Sequence, residues 1–69
     1  LVPKHEILSP EERRALMEKY RIEPWKLPRI KVSDPAIRLI GAKPGDIVKI
    51  IRRSLTAGES IYYRYVIEG

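Results

Sequence analysis

The C-terminal third of the chain contains two segments that are rich in β-branched and aromatic residues. Ile47–Arg53 and Ser60–Ile67 are separated by a polar loop that contains Gly58. Such residues favour strands, and a loop of about five residues joins strands in antiparallel order. The sequence therefore predicts a β-hairpin over residues 46–67 with its loop at Ser54–Glu59, and the rest of the 69-residue chain must pack against it.

A helix start precedes the hairpin by more than thirty residues. Ser9 can cap a helix, Glu12 three residues later can complete a capping box, and the proline between them suits the first helical position. We predict a helix over residues 9–20 and an extended lead-in over residues 1–8. The apolar residues expected to face inward from this helix are Leu16, Met17 and Tyr20.

The middle of the chain predicts a short strand followed by a short helix. Apolar and basic residues alternate in the strand, over residues 28–32, behind a proline that suits an edge position. Asp34 can cap the helix over residues 34–40, Pro35 suits its first turn, and Gly41 can end it in a left-handed conformation.

A turn is expected between this second helix and the hairpin. Pro44 and Gly45 occupy the central positions of a type II turn, which requires a positive φ at its third residue, and Asp46 follows them. Together these elements predict one α+β domain over residues 1–69, with two short helices packed on a small, mainly antiparallel sheet.

Composition narrows the possible functions. The chain has no cysteine, which excludes disulfides and thiol chemistry, and no apolar run long enough to span a membrane. Because it begins at Leu1 rather than methionine, a few preceding residues are expected to be missing. The net charge of +5 favours a polyanionic neighbour, and residues 47–67 carry four of the basic residues and only one acidic residue, Glu59.

Few residues are candidates for catalysis. His5, the single histidine, is followed by Glu6, but neighbours in an extended segment point apart, so a surface or packing role is favoured over acid–base chemistry. Asp34 and Asp46 are explained by a helix cap and a turn. The segment 41–45 resembles a phosphate-binding loop but lacks its ending and the following helix. We therefore expect no catalytic residue, metal or cofactor in this chain.

The hairpin is the strongest candidate for binding, and three interpretations of it stay open. Tyrosines alternate with a basic residue on the second strand, opposite basic residues of the first. In the first interpretation, the tyrosines stack on bases and the basic residues neutralise phosphates. In the second, the tyrosines pack in the core and the arginines lie around them. In the third, the surface docks on a large protein. The residues concerned are Lys49, Arg52, Arg53, Tyr62, Tyr63, Arg64 and Tyr65.

Apolar residues occupy both alternating sets of positions in both strands of the hairpin. One small core is not expected to absorb both sets, which predicts that one face of the sheet meets a partner. Arg52 and Arg64 are expected near paired positions, where both can offer forked donors to a partner. Three small loop residues are expected to let a partner chain approach: Ser54, Thr56 and Gly58.

With these motifs in this order, the chain resembles a family of small subunits of archaeal DNA-directed RNA polymerase. Members of this family are similar to the C-terminal assembly domain of the fifth-largest eukaryotic polymerase subunit. The resemblance covers essentially all of the chain. It is carried by three blocks: Leu1–Ser9; Leu27–Ile30 with Asp34-Pro35; and Gly41, Gly45-Asp46, Ile50–Ser54, Thr56–Gly58 and Tyr63-Arg64. The chain departs from the family at Leu55, where proline is common, which concerns only the stiffness of the loop.

The resemblance implies a non-catalytic assembly subunit of a multisubunit, cytoplasmic polymerase. It implies docking on the largest subunit, which archaea split into two chains, on the downstream-DNA side. We also expect contact with neighbouring small subunits, weak contact with downstream DNA at most, no membrane association and no homo-oligomer. The alternative is a free-standing nucleic-acid-binding module that uses the hairpin. The residues expected to bind the partner are Pro3, His5, Arg52, Ser54, Thr56, Gly58, Tyr63 and Arg64.

Overall fold

A computed structural model describes residues 3–69 of the chain, so the part of the lead-in prediction that concerns Leu1 and Val2 lies outside the described residues. Helices and strands are both present in the described part, and the predicted α+β class is confirmed. The elements in chain order are β1 (Lys4–Ile7), α1 (Pro10–Tyr20), a 3₁₀ helix (Pro24–Lys26), β2 (Arg29–Lys31), α2 (Pro35–Ile40), β3 (Ile47–Ser54) and β4 (Gly58–Ile67).

The strands form one mixed sheet in the order β1-β3-β4-β2. β3 runs antiparallel to both of its neighbours, whereas β2 runs parallel to β4. The lead-in is extended, as expected, but it also pairs with β3, from Lys4 opposite Ile51 to Ile7 opposite Val48. Both short strands, β1 and β2, therefore form the edges, and the hairpin forms the centre.

The hairpin strands are longer and the loop is shorter than the sequence predicts. Pairing continues to Ser54 opposite Gly58, so only residues 55–57 connect the strands. The predicted loop at Ser54–Glu59 was too long. Glu59, the last residue of the predicted loop, is instead paired with Arg53 across the two strands, and the two side chains form an ion pair of 3.3 Å.

The start of α1 carries a complete capping box. The Ser9 hydroxyl accepts a hydrogen bond of 3.2 Å from the Glu12 backbone N–H, and the Glu12 carboxylate accepts one of 3.0 Å from the Ser9 N–H. The bond from the Ser9 backbone, followed by that with the Ser9 side chain, lowers the pKa of Glu12 from its ordinary value of 4.5. The first turn is thus fixed by local hydrogen bonds.

The second helix is held at both ends as well. The Asp34 carboxylate accepts a hydrogen bond of 3.0 Å from the Ala36 N–H, and Pro35 occupies the first helical position. Gly41 ends the helix at φ 71°, with its N–H donating to the Arg38 carbonyl. Because six residues are too few for an independent helix, burial of Ile37 against the sheet must supply the remaining stability.

The turn at residues 43–46 ties the start of the hairpin to its far end. Gly45 has φ 96°, and the Asp46 N–H donates to the Lys43 carbonyl at 3.0 Å, as a type II turn requires. The Asp46 carboxylate accepts a further bond of 2.8 Å from the Lys43 N–H. The Gly45 N–H donates to the carbonyl of Val66 in β4. Pro44 and Gly45 therefore direct the chain into β3.

Apolar side chains are buried on both faces of the sheet. On one face, α2 covers a cluster whose buried members are Ile37, Ala42, Val48, Ile50 and Val66. On the other face, α1 covers a cluster whose buried members are Leu8, Leu16 and Ile47, with Met17, Leu27, Tyr63 and Tyr65 packed against it. The expectation that one small core leaves a whole sheet face for a partner is wrong, because the helices lie on opposite faces and build two cores.

The inward stripe of α1 is narrower than the sequence predicts. Leu16 is buried and Met17 is half-buried, but Tyr20 is 52% exposed. Tyr20 is the last residue of the helix, and Arg21 follows it in a left-handed conformation at φ 51°. The helix therefore contributes Leu16 and Met17, but not Tyr20, to the core beneath it. No helix within residues 3–69 is long and apolar enough to cross a membrane.

Candidate functional site

Three side chains of the hairpin lie together on the α2 side of the sheet. The guanidinium carbons of Arg52 and Arg64 each lie 5.7 Å from the centre of the Tyr62 ring. Cations at this distance are attracted by the negative face of an aromatic ring. We call these three residues, Arg52, Tyr62 and Arg64, the Arg–Tyr–Arg cluster.

The cluster lines a small open pocket. Its volume is about 170 Å³, and Ile50 completes its lining. Arg64 is half-buried and donates a hydrogen bond of 2.9 Å to the backbone carbonyl of Tyr63, which restrains its guanidinium. Arg52 and Tyr62 are exposed. The pocket is therefore lined by one aliphatic, one aromatic and two cationic side chains.

The two arginines of the cluster have no acidic partner among residues 3–69. The ion pairs found there join Lys4 to Glu6 and Arg53 to Glu59. Both lie on the opposite face of the sheet, because side chains alternate along each strand. The cluster consequently presents two positive charges outward without neutralisation from its own surroundings.

The register differs from the one expected for these arginines. Arg52 lies opposite Ser60 and Arg64 lies opposite Val48, so the prediction that the arginines sit near paired positions was wrong. The two arginines nevertheless share a face of the sheet, because Ser60, the partner of Arg52, lies four positions before Arg64 on the same strand. Tyr62, opposite Ile50, lies between them and contacts both.

Tyr63 lies away from the cluster. It points to the α1 side of the sheet, packs against the core there and is half-buried. Tyr63 was expected from the sequence to bind the partner, and that stays a prediction; the tyrosine that lies beside the two arginines is Tyr62. The spacing of two between Tyr62 and Arg64 was the signal that could have identified it, since residues two apart in a strand share a face.

The three small residues expected in the hairpin loop, Ser54, Thr56 and Gly58, organise the connection between β3 and β4. The Ser54 hydroxyl accepts hydrogen bonds of 3.2 Å from the N–H groups of Thr56 and of Ala57, and its oxygen lies 3.3 Å from the hydroxyl oxygen of Thr56. Gly58 adopts φ 73° as the chain re-enters the sheet. This network holds Leu55 at the tip, where it is 97% exposed.

The first residues of the described chain reach the same side as the cluster. His5 lies opposite Ile50, whose side chain lines the pocket, and His5 is half-buried. Pro3, also half-buried, immediately precedes β1. His5 is thus placed beside the cluster, on its neighbouring strand.

Comparison with known proteins identifies the family. A family model described as RNA polymerase Rpb5, C-terminal domain, matches residues 1–66. The chain belongs to this family. It is similar to DNA-directed RNA polymerase subunit Rpo5 of Pyrococcus abyssi, with 63% identity over 99% of this chain and 83% of the relative.

Two further relatives, from organisms other than Pyrococcus, carry the same description, DNA-directed RNA polymerase subunit Rpo5. That of Archaeoglobus fulgidus is 60% identical over 97% of this chain and 88% of the relative. That of Nitrosopumilus maritimus is 57% identical over 97% of this chain and 81% of the relative. The recognition made from the sequence motifs, an archaeal polymerase subunit related to the Rpb5 C-terminal domain, is confirmed.

Two further depressions on this Rpb5-type domain lie away from the Arg–Tyr–Arg cluster and are lined mainly by helix residues. One of about 460 Å³ lies on α2 beside Pro35, Arg38 and Leu39. The other, of about 240 Å³, lies between α1 and the sheet, with Glu12 and Lys49 among its lining residues. No group of three or more metal-ligating side chains occurs within the described range of 3–69. The Arg–Tyr–Arg cluster is therefore the site with the most distinct chemistry.

Proposed function

We propose that the chain is a non-catalytic assembly subunit of a multisubunit DNA-directed RNA polymerase. It docks on the largest subunit, on the downstream-DNA side, and contacts neighbouring small subunits as a single copy. Nucleotidyl transfer and its metal ions belong to other chains, and this chain holds no cofactor. The complex works in the cytoplasm.

The observation that carries this proposal is the family match over residues 1–66 together with an outward-facing cationic cluster. Arginine and tyrosine are favoured at protein interfaces, where a buried guanidinium can donate several hydrogen bonds in a fixed geometry. The half-buried, backbone-bonded Arg64 is already partly ordered before docking. Less side-chain entropy is therefore lost when a partner covers it.

The hairpin end provides additional contact area near the cluster. Ile61 and Tyr62 are 44% and 41% exposed, and Leu55 is almost fully exposed at the tip. The pairing of β1 with β3 stops at Ile51, and β2 pairs only with Tyr65–Ile67, so the hairpin projects beyond both edge strands. A projecting arm with apolar and cationic side chains can enter a groove of a larger subunit.

A nucleic-acid-binding module is the alternative function, and one feature favours it. Arginine beside an exposed tyrosine can stack on a base and neutralise a phosphate. However, the basic side chains of the hairpin are divided between its faces, with Lys49 and Arg53 opposite the cluster. A backbone of closely spaced phosphates is matched better by a continuous basic stripe.

Reconstitution of polymerase from recombinant subunits tests the proposal. We expect the wild-type chain to enter the complex at one copy per enzyme. We expect Arg52→Ala or Arg64→Ala to weaken its docking by about 2 kcal/mol or more if that arginine is covered by the partner. Stoichiometry and transcription are measured separately. A wild-type chain that stays outside the complex contradicts the proposal, as does normal incorporation of a variant with abolished nucleotide addition.

A further inference from the structure

We propose that the Arg–Tyr–Arg cluster is a receptor for a carboxylate side chain, an Asp or Glu in an acidic segment of the polymerase subunit on which the chain docks. This inference rests on the proposed function and names the chemistry of its partner. The 170 Å³ pocket of the cluster is the place where the carboxylate binds.

Two cations of the cluster converge on one ring. Arg52 and Arg64 come from different strands, yet both guanidinium carbons lie 5.7 Å from the same Tyr62 ring centre. Neither guanidinium forms an ion pair within residues 3–69, so the Tyr62 ring is the group that both cations share there. The ring attracts both arginines but carries no net charge, so an anion in the pocket completes the arrangement.

The described part of the chain does not supply this anion. The acidic residues of the hairpin and of β1, Glu59 and Glu6, form ion pairs on the opposite face of the sheet. The Arg64 guanidinium donates to the backbone carbonyl of Tyr63, which offers a dipole rather than a charge. A forked donor that meets a carboxylate forms short, charge-assisted hydrogen bonds, so an external carboxylate is the matching ligand.

The shape of the cluster favours a carboxylate over the phosphates of DNA. A duplex presents one negative charge about every 1.7 Å along its axis and is bound by many cations at once. The cluster has two cations around one small pocket that Ile50 also lines, and Lys49 and Arg53 point away on the other face. Two arginines and a tyrosine around one small pocket match a single localised carboxylate of a protein interface, where these two residue types are enriched.

Glutamine variants in reconstituted polymerase test whether the charge is needed. We expect Arg52→Gln and Arg64→Gln each to weaken incorporation at least tenfold, and Tyr62→Leu to weaken it as well, whereas Tyr62→Phe, which keeps the ring, leaves it unchanged. Arg53→Gln is the matched control, because Arg53 lies on the same strand as Arg52 but on the other face. Equal incorporation of all variants overturns the inference.

Zero-length cross-linking identifies the ligand. In Arg52→Lys and Arg64→Lys polymerase, a carbodiimide joins the lysine Nζ to a nearby carboxylate as an amide, with the reagent converted to its urea. We expect a link to an Asp or Glu of a larger subunit that Arg53→Lys does not give. No link from either variant in enzyme that contains it, or an equal link from Arg53→Lys, overturns the inference.

The outcomes separate this inference from the proposed function. If the wild-type chain does not enter the polymerase, the proposed function fails. If it enters and the glutamine variants enter equally well, only the carboxylate receptor fails. If the glutamine variants enter normally but the enzyme protects less downstream duplex DNA from nuclease digestion, the ligand is phosphate and the carboxylate assignment is wrong.

Discussion

Ile47 and Val48 are consecutive residues of β3, both fully buried, and they belong to different cores. Ile47 packs with Leu8 and Leu16 beneath α1, whereas Val48 packs with Ile37 beneath α2. Successive side chains of a strand point to opposite faces, so one strand supplies both cores at once. The central hairpin is thus covered on two sides by helices that do not need to touch each other.

The two cores are expected to contribute independently to stability. Leu16→Ala and Ile37→Ala should each lower the free energy of unfolding by about 2–5 kcal/mol, and the double variant should lose nearly the sum, because the two side chains share no cluster. Urea denaturation measures this. Leu55→Ala, at an exposed tip, is the control and should change stability by less than about 0.5 kcal/mol. A strongly non-additive double variant would contradict the two-core description.

Replacing Gly45 should destabilise the fold, because this residue has a positive φ in the turn before β3. At φ 96°, Gly45→Val is expected to lower the free energy of unfolding by about 1–3 kcal/mol. There is open space around the position where a Cβ would be, so the loss arises from backbone strain and not from a clash. Gly45→Asn should lose less, since asparagine tolerates positive φ better. An unchanged denaturation midpoint for the valine variant would refute the turn.

Glu12 should make the stability of the chain depend on pH. Its pKa is lowered in the folded state, so its charged form stabilises the fold above the unfolded value of 4.5, and that contribution disappears as the pH falls through the folded value. Glu12→Gln should therefore lie closest to wild type in acid and fall below it near neutral pH. Denaturation at several pH values tests this, with Glu11→Gln as the control. If the difference in stability between wild type and Glu12→Gln increased as the pH falls, the predicted contribution of Glu12 would be contradicted.

Binding of duplex DNA by the isolated chain should be weak. The net charge is +5, and the basic residues of the hairpin are divided between two faces. We expect a dissociation constant of about 10⁻⁴ M or weaker at physiological salt, as for non-specific phosphate contacts. A fluorescence-anisotropy titration at two salt concentrations measures it. Sub-micromolar, sequence-selective binding would favour the nucleic-acid module over the assembly subunit.

The features that could be predicted from the sequence are those that depend on local interactions. The capping box at Ser9, the caps at Asp34 and Gly41, and the turn at Gly45 each depend on residues within a few positions of one another. The hairpin was predictable for a related reason, since its two strands are consecutive and differ in composition from the loop. These features located both helices and the centre of the sheet.

The remaining features depend on distant partners. The pairing of Lys4 with Ile51 joins residues far apart in the chain, so the extended lead-in gave no sign of being a strand. The assignment of α1 and α2 to opposite faces follows from the path of the connections, which no local pattern records. For the candidate site, the spacing of two between Tyr62 and Arg64 indicates a shared face, but the placement of Arg52 of the other strand on that face required the register, because a shift of one position exchanges the faces.

The strand order has a consequence for how the fold is completed during translation. The two edge strands, β1 and β2, precede both central strands in the chain. A ribosome therefore makes each outer strand before the strand to which it hydrogen-bonds exists: β1 waits for Val48–Ile51, and β2 waits for Tyr65–Ile67. No native pairing of this sheet can form on the nascent chain until β3 has emerged. Tyr62 and Arg64 of the Arg–Tyr–Arg cluster belong to β4, so under the proposed docking mode an incomplete chain that lacks β4 does not compete with the finished chain for its place.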